Sequence, residues 1–162
     1  MKIKAIVAMS RDRVIGAKGD LPWHISEDLK RVKKLTMGDT VLMGRKNYES
    51  IPEKYRPLSG RKNVVVTRQN DWIADESVLV FRKNPTEVIE ELSKEAKADD
   101  VLWVFGGGEI YEQTIDLWDE IYLTLVEGEY EGDVFFPEFE EDFEETWQES
   151  HEGFSFINYS RI

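Results

Sequence analysis

The chain contains no cysteine among its 162 residues. That absence excludes a disulfide framework, a thiolate nucleophile and cysteine-ligated zinc or iron–sulfur centres, and it fits an intracellular enzyme. No apolar run approaches the roughly 20 residues that a bilayer-spanning helix needs. The opening stretch from Met1 to Met9 is short and is broken at once by Ser10, Arg11 and Asp12, unlike a secretory leader. A soluble, monomeric, cytoplasmic protein with no membrane partner is expected. Histidine is scarce too: His24 and His151 lie far apart, in neither a metal-ligand nor a triad spacing, so no metal site is expected. Repeats and low-complexity linkers are missing, and residues 1–162 read as one domain. A domain of about 150 residues buries roughly 70% of its unfolded surface and needs no covalent staples.

The most uneven shortage is of positive charge. The formal net charge is −12, yet residues 1–97 hold 20 basic and 14 acidic residues, whereas residues 98–162 hold 1 basic and 19 acidic. No lysine or arginine lies between Lys97 and Arg161. So acidic a chain is a poor match for nucleic acid, whose phosphates demand cations. Confining the cations to one part suggests that they serve a small anionic ligand, the alternative being solvated charge on both halves. The acidic half repels itself and points to a salt-loving source. Its stripe over residues 138–145 lacks the alternation and glycine of a calcium loop and reads as solvated.

Short β-branched runs recur at 3–8, 40–43, 63–67, 78–81, 101–105 and 121–126. Several are continuously apolar, as strands covered on both faces are. Helical patterns fall between them. Ser26 reads as an N-cap ahead of Glu27 and Asp28. Asn84 precedes Pro85 at the tolerated first helical position, and Val88, Ile89, Leu92 and Ala96 form one buried stripe. A further helix, 109–117, follows three glycines. Segments 144–148 and 154–160 read as a hairpin. The sum is an α/β fold: a mainly parallel central sheet flanked by helices, closed by an antiparallel C-terminal strand.

Three places could carry chemistry. Asp28 shares a helix face with Val32 and Leu35, at i+4 and i+7, bordered by Leu29. It is either a carboxylate in a ligand cleft or a first-turn acid paired with Arg31. Gly106-Gly107-Gly108 ends a strand and opens a helix, where bare N–H groups can meet phosphate. With Tyr111 in the last position it is not a dinucleotide fingerprint, and no Lys-Ser/Thr follows to make a P-loop; a tight structural turn is the other reading. Gly44-Arg45-Lys46 and Thr67-Arg68 also end strands, where ligands of open α/β sheets gather.

Here the chain resembles the dihydrofolate reductase family. The similar segments are Ala8-Met9-Ser10-Arg11-Asp12-Arg13-Val14-Ile15-Gly16 through Leu21-Pro22-Trp23, Glu27-Asp28-Leu29, Val41-Leu42-Met43-Gly44-Arg45 and Glu49-Ser50-Ile51. They continue with Leu58-Ser59-Gly60-Arg61-Lys62-Asn63, Gly106-Gly107-Gly108, Ile121-Tyr122-Leu123-Thr124 and Gly132-Asp133-Val134-Phe135-Phe136-Pro137. The resemblance implies reduction of dihydrofolate by NADPH, with Asp28, Trp23 and Leu21 at the reacting centre. Ala8, Asp28, Leu29, Val32, Ile51, Leu58, Arg61 and Thr124 would bind substrate, Arg61 through the glutamate α-carboxylate. Ile15, Gly16, Gly44, Arg45, Lys46, Thr67, Arg68, Phe105, Gly106, Gly107, Gly108 and Tyr111 would bind the cofactor, Arg68 through its 2′-phosphate. A cis Gly106–Gly107 peptide is implied as well. The chain departs from the family's usual pattern at Val32 (phenylalanine), at Tyr48 (tryptophan or phenylalanine), at Glu109 (arginine in some members) and in a longer loop at 52–57. A related pteridine or pyrimidine reductase and a non-enzymatic nucleotide-binding module remain alternatives.

Overall fold

A computed structural model describes residues 1–16 and 24–162. Its strands are β1 (Lys2–Ser10), β2 (Val14–Gly16), β3 (Thr40–Gly44), β4 (Lys62–Val66), β5 (Leu79–Phe81), β6 (Val101–Gly106), β7 (Glu120–Val126), β8 (Val134–Phe135), β9 (Phe143–His151) and β10 (Phe154–Arg161). Eight of them form one sheet in the order β5-β4-β3-β6-β1-β7-β10-β9. The six from β5 to β7 are parallel; β10 runs antiparallel to β7 and β9 antiparallel to β10. The expected C-terminal strand is thus the inner arm of a hairpin, turned at Gly153 with φ of 87°. A second, antiparallel pair of β2 and β8, not foreseen from the sequence, crosses beside the main sheet.

Alternation along the strands makes two apolar layers. Ala5, Val7, Leu42, Val64, Leu102 and Val104 point to one, with Val88 and Ile89 of α3 (Pro85–Glu95) and Ile110 and Tyr111 of α4 (Gly108–Thr114). Ile6, Val41, Met43, Val65 and Trp103 point to the other, where Val32 and Leu35 of α1 (Ser26–Thr36) and Ile51, just after α2 (Arg45–Ser50), pack against them. Coverage of both faces is why these strands read as unbroken apolar runs. Each fully buried valine or leucine contributes about 1.5–3 kcal/mol relative to exposure.

Local signals explain most boundaries. Asn84 caps α3 as expected, its side chain accepting from the Thr86 N–H at 2.9 Å, with Pro85 at the first position. Ser26 does not cap α1: Ile25 holds the extended cap position and Ser26 is already helical. Glu27 and Asp28 instead place negative charge over the exposed N–H groups of that turn. The helix after the glycines starts at Gly108 and tightens into a 3₁₀ turn at Ile115–Leu117.

The chain leaves β1 for β3 on one side of the sheet and leaves β6 for β7 on the other. Connections therefore diverge around the carboxyl ends of β1, β3 and β6, which opens a crevice there.

Candidate active site

Asp28 sits in the first turn of α1, over the carboxyl half of the sheet. The Thr124 hydroxyl on β7 donates to its Oδ1 at 2.6 Å. Thr124 is itself buried, in register with Ala8 of β1 and Phe156 of β10, so three strands fix the donor. Burial raises the Asp28 carboxyl above the ordinary aspartate range; the Thr124 bond and the positive charge of Arg31 offset part of that rise. Arg31 does not pair directly with Asp28. Its guanidinium donates to Asn158 Oδ1 at 2.8 Å and stacks 4.3 Å from the Phe156 ring centre. The first-turn ion pair is therefore not the arrangement found.

Below Asp28, the half-buried Val32, Ile51 and Leu58 pack together against the layer of Ile6, Met43, Tyr48 and Trp103. Leu29, expected beside them, is exposed, since it lies one residue and a quarter turn round the helix from Asp28. Arg61 closes this end. Its Nη1 donates to the buried Thr36 hydroxyl at 3.2 Å and its Nε to the Ser59 carbonyl at 3.0 Å, and burial lowers its pKa. No carboxylate among the described residues pairs with Arg61, so its charge is not neutralised by an ion pair there. Asn63 sets this loop: it accepts from the Leu58 N–H and donates to the Leu58 and Arg61 carbonyls, at 2.9, 2.9 and 3.0 Å. Sequence reasoning assigned it no role, although a buried asparagine heading a run of valines was a usable signal.

Across the crevice, the Gly106–Gly107 peptide is cis, as the resemblance implied. Gly106 has φ of 99°, and a Cβ there would lie 2.7 Å from the Tyr111 ring, so glycine is required on both counts. The buried Tyr111 hydroxyl lies 2.6 Å from the Ile6 carbonyl and 3.0 Å from that of Phe105, tying α4 to β1 and β6. Burial first, then the nearby charge of Asp28, pushes its pKa upward, so the two sides of the crevice share one field. Asn47 on α2, also missed from the sequence, donates to the Phe105 carbonyl at 2.8 Å. A Cβ on Gly44 would stand 3.4 Å from Ile110 and 3.9 Å from the Gly106 carbonyl. A Cβ on Gly108 would meet Val134 at 2.5 Å and approach Ile15 at 3.8 Å, so the β2–β8 pair brings Ile15 and Gly16 to the glycine turn.

The cations are less available than the sequence implied. The half-buried Arg45 pairs with Glu49, and Arg68 pairs with Glu109 in an exposed ion pair. Lys46 is exposed and makes no ion pair among the described residues. Thr67 is buried, its hydroxyl accepting from the Gln69 N–H at 3.1 Å. Leu21 and Trp23 lie outside the described residues.

Known proteins match this arrangement along nearly the whole chain. The sequence pattern of the dihydrofolate reductase family covers residues 2–161. A dihydrofolate reductase of Staphylococcus aureus is 40% identical over 137 residues, 85% of this chain and 79% of that protein. The dihydrofolate reductase HdrB of Haloferax volcanii is 34% identical over 158 residues, 96% of this chain and 81% of that one. In three dimensions, the Enterococcus faecalis dihydrofolate reductase, solved with NADP(H) and RAB-propyl, superposes with a TM-score of 0.83 at 32% identity, covering 99% of this chain and 96% of that one. With a carboxylate held by a strand threonine on one side of the crevice and a cis glycine turn on the other, the chain belongs to the dihydrofolate reductase family.

Proposed function

We propose that this chain reduces 7,8-dihydrofolate to 5,6,7,8-tetrahydrofolate with NADPH in the cytoplasm, as a monomer, serving one-carbon metabolism. The observation that carries the reading is the half-buried Asp28 held by Thr124 among apolar side chains. A carboxylate so placed accepts hydrogen bonds from the amino group and ring N–H of a pterin, and burial limits the water that would screen them. Its negative charge favours a protonated N5, with the proton drawn from solvent. Val32, Ile51 and Leu58, with Leu29 at the rim and Ala8 on the sheet floor, line an apolar slot for the p-aminobenzoyl ring. Arg61 meets the glutamate α-carboxylate, where a planar fork suits a two-oxygen acceptor.

The other side of the crevice fits NADPH. Gly107 has open space where a side chain would stand, and the turn leaves backbone N–H groups bare at a helix start. When bound, NADPH supplies the hydride. Gly44, Arg45, Lys46 and the Gly106–Gly108 turn would hold the pyrophosphate, Thr67 and Arg68 would meet the 2′-phosphate, and Ile15, Gly16, Phe105 and Tyr111 would serve the nicotinamide half. The resemblance adds Leu21 and Trp23 to the reacting centre. The acidic second half and the Haloferax relative support a salt-loving source.

Loss of NADPH absorbance in the presence of dihydrofolate tests the proposal. Turnover that needs both reactants and yields tetrahydrofolate is expected; NADPH oxidation that is absent, or unaffected by dihydrofolate, would refute it.

A further inference from the structure

Resting on the assignment of Asp28 above, we propose that Arg31 is a positioning residue. Anchored to the β7–β10 strand pair, it fixes both the seat and the charge surroundings of the Asp28 carboxylate. Both carboxylate and guanidinium are held from one register of the β7–β10 pair. Thr124 of β7 stands opposite Phe156 of β10, and Tyr122 stands opposite Asn158. Thr124 holds Asp28, while Phe156, Asn158 and Tyr122 hold Arg31, one helical turn further along α1. Two rungs of one ladder, separated by the Leu123–Ile157 rung and so on the same face, thus grip two adjacent turns of one helix. Val32 and Leu35 pack the body of α1 on the sheet; Thr124 and the Arg31 seat add two polar ties from one strand pair, at the end of the helix that carries Asp28.

The grip on Arg31 is built from several sides. Its guanidinium carbon lies 4.3 Å from the Phe156 ring centre and 5.7 Å from both Tyr122 and Trp147. Nη2 donates to Asn158 at 2.8 Å. A planar cation on aromatic faces, with a hydrogen-bond acceptor at its edge, is an arrangement lysine cannot reproduce. Burial lowers the Arg31 pKa, against the opposing charges of Asp28, Tyr122 and Glu149. Nothing in that balance deprotonates a guanidinium at ordinary pH, so Arg31 is a permanent positive charge facing Asp28. The groups around the pair are Tyr122 on β7, Tyr111 on α4 and Glu149 on β9, the last also bonded to His151. Arg31 therefore adds to the Thr124 bond in favouring the ionised Asp28, in a setting whose burial opposes ionisation.

Arg31→Met removes the charge and the stack, whereas Arg31→Lys keeps the charge alone. The Met variant is expected to bind dihydrofolate about tenfold more weakly, the scale of a modest misplacement of a binding group, with NADPH binding unchanged. The midpoint of its pH profile for single-turnover hydride transfer should move upward, because Asp28 then keeps its proton to higher pH and the protonated pterin is no longer repelled. The Lys variant should keep the wild-type midpoint while losing part of the affinity. Wild-type affinity and midpoint in the Met variant overturn the proposal, as does an equal shift of midpoint in both variants. Should Arg31→Met fail to fold, Asn158→Ala releases the guanidinium without touching its charge; unchanged dihydrofolate affinity in both Asn158→Ala and Arg31→Lys would overturn it. One readout needs no turnover. In a double-mutant cycle with Asp28→Asn, read by thermal unfolding, Arg31→Met should destabilise less when Asp28 is neutral. Additive effects overturn the Arg31–Asp28 coupling even in a protein that reduces dihydrofolate, and non-additive effects uphold it even in one that does not.

Discussion

Replacing Asp28 by asparagine should push rate and stability in opposite directions. Asparagine keeps the shape, and its side-chain oxygen can still accept the Thr124 hydroxyl, so the substitution removes little besides charge. Loss of that charge is expected to slow hydride transfer at neutral pH by about 10²–10⁴-fold, the usual range for a lost acid–base group. The deficit should shrink as pH falls, because solvent then protonates the substrate directly. Stability follows from the same burial. The folded Asp28 carboxyl titrates above its unfolded value, so across that interval the native state binds more protons than the unfolded chain. Stability attributable to this group is then highest below the unfolded pKa and is lost as pH rises through the folded one. Each unit of upward shift costs the charged form about 1.4 kcal/mol, and about 1 kcal/mol moves the melting temperature of a domain this size by roughly 2–4 °C. Asp28→Asn should therefore melt higher than wild type at pH 8, and the gain should fade towards about pH 4. Single-turnover transfer and melting curves at pH 5 and pH 8 provide both readouts. A near-normal rate at pH 8 would return Asp28 to a first-turn acid, and a melting temperature lowered at pH 8 would refute the burial cost.

Three further outcomes can be checked. Arg68→Ala should raise the Michaelis constant for NADPH about tenfold, near the low end for a lost charge-assisted contact because Glu109 already competes for the guanidinium. The constant for NADH should hardly move, Glu109→Gln should lower that for NADPH, and equal effects on both cofactors would mean Arg68 does not read the 2′-phosphate. Gly106→Ala must adopt φ of 99° and thrust a methyl 2.7 Å from the Tyr111 ring; strain and overpacking each cost on the order of 1–3 kcal/mol, so an unchanged melting temperature would contradict the geometry. Raising salt from about 0.1 M to 1 M shortens the screening length from roughly 10 Å to 3 Å and should raise the melting temperature; curves that coincide in low and molar KCl would count against self-repulsion.

Strand positions were legible because the central strands are buried on both faces, and a run such as residues 63–67 has few other uses. The order of strands was not, because which parallel neighbour a strand takes depends on long-range packing that no local pattern encodes. β2 and β8 escaped notice for being three and two residues long. Asp28 could be suspected from helical periodicity, and its family resemblance sharpened the suspicion. Its partner Thr124 came from the resemblance alone, since a threonine in the middle of an apolar strand has no distinguishing period. Asn47, Asn63 and the Arg31–Asn158 bond act across 58 residues, five residues and 127 residues respectively. Only the Asn63 contact is local enough for a sequence pattern to hint at it.

The charge polarity along the chain takes on a different meaning once folded. The basic residues of 1–97 were expected to serve anionic ligands, yet many meet the acidic half within the protein. Lys2 and Lys4 reach Glu120, Arg11 reaches Glu127, Arg13 reaches Glu140 and Arg68 reaches Glu109. Mostly exposed, such pairs contribute little each, of order 0–1 kcal/mol, and salt weakens them. Salt also weakens repulsion among the acids of residues 98–162, which hold 19 carboxylates against one arginine. That excess is why the second effect should win and molar salt should stabilise. Of the cations assigned to ligands, Arg45 and Arg68 are each shared with a carboxylate. Arg61, held by Thr36, pairs with no carboxylate among the described residues, and Lys46 stands at the start of α2 beside the end of β3. In the proposed ligand path Arg61 suits a carboxylate and Lys46 a pyrophosphate, while Arg68, shared with Glu109, is left to distinguish the 2′-phosphate.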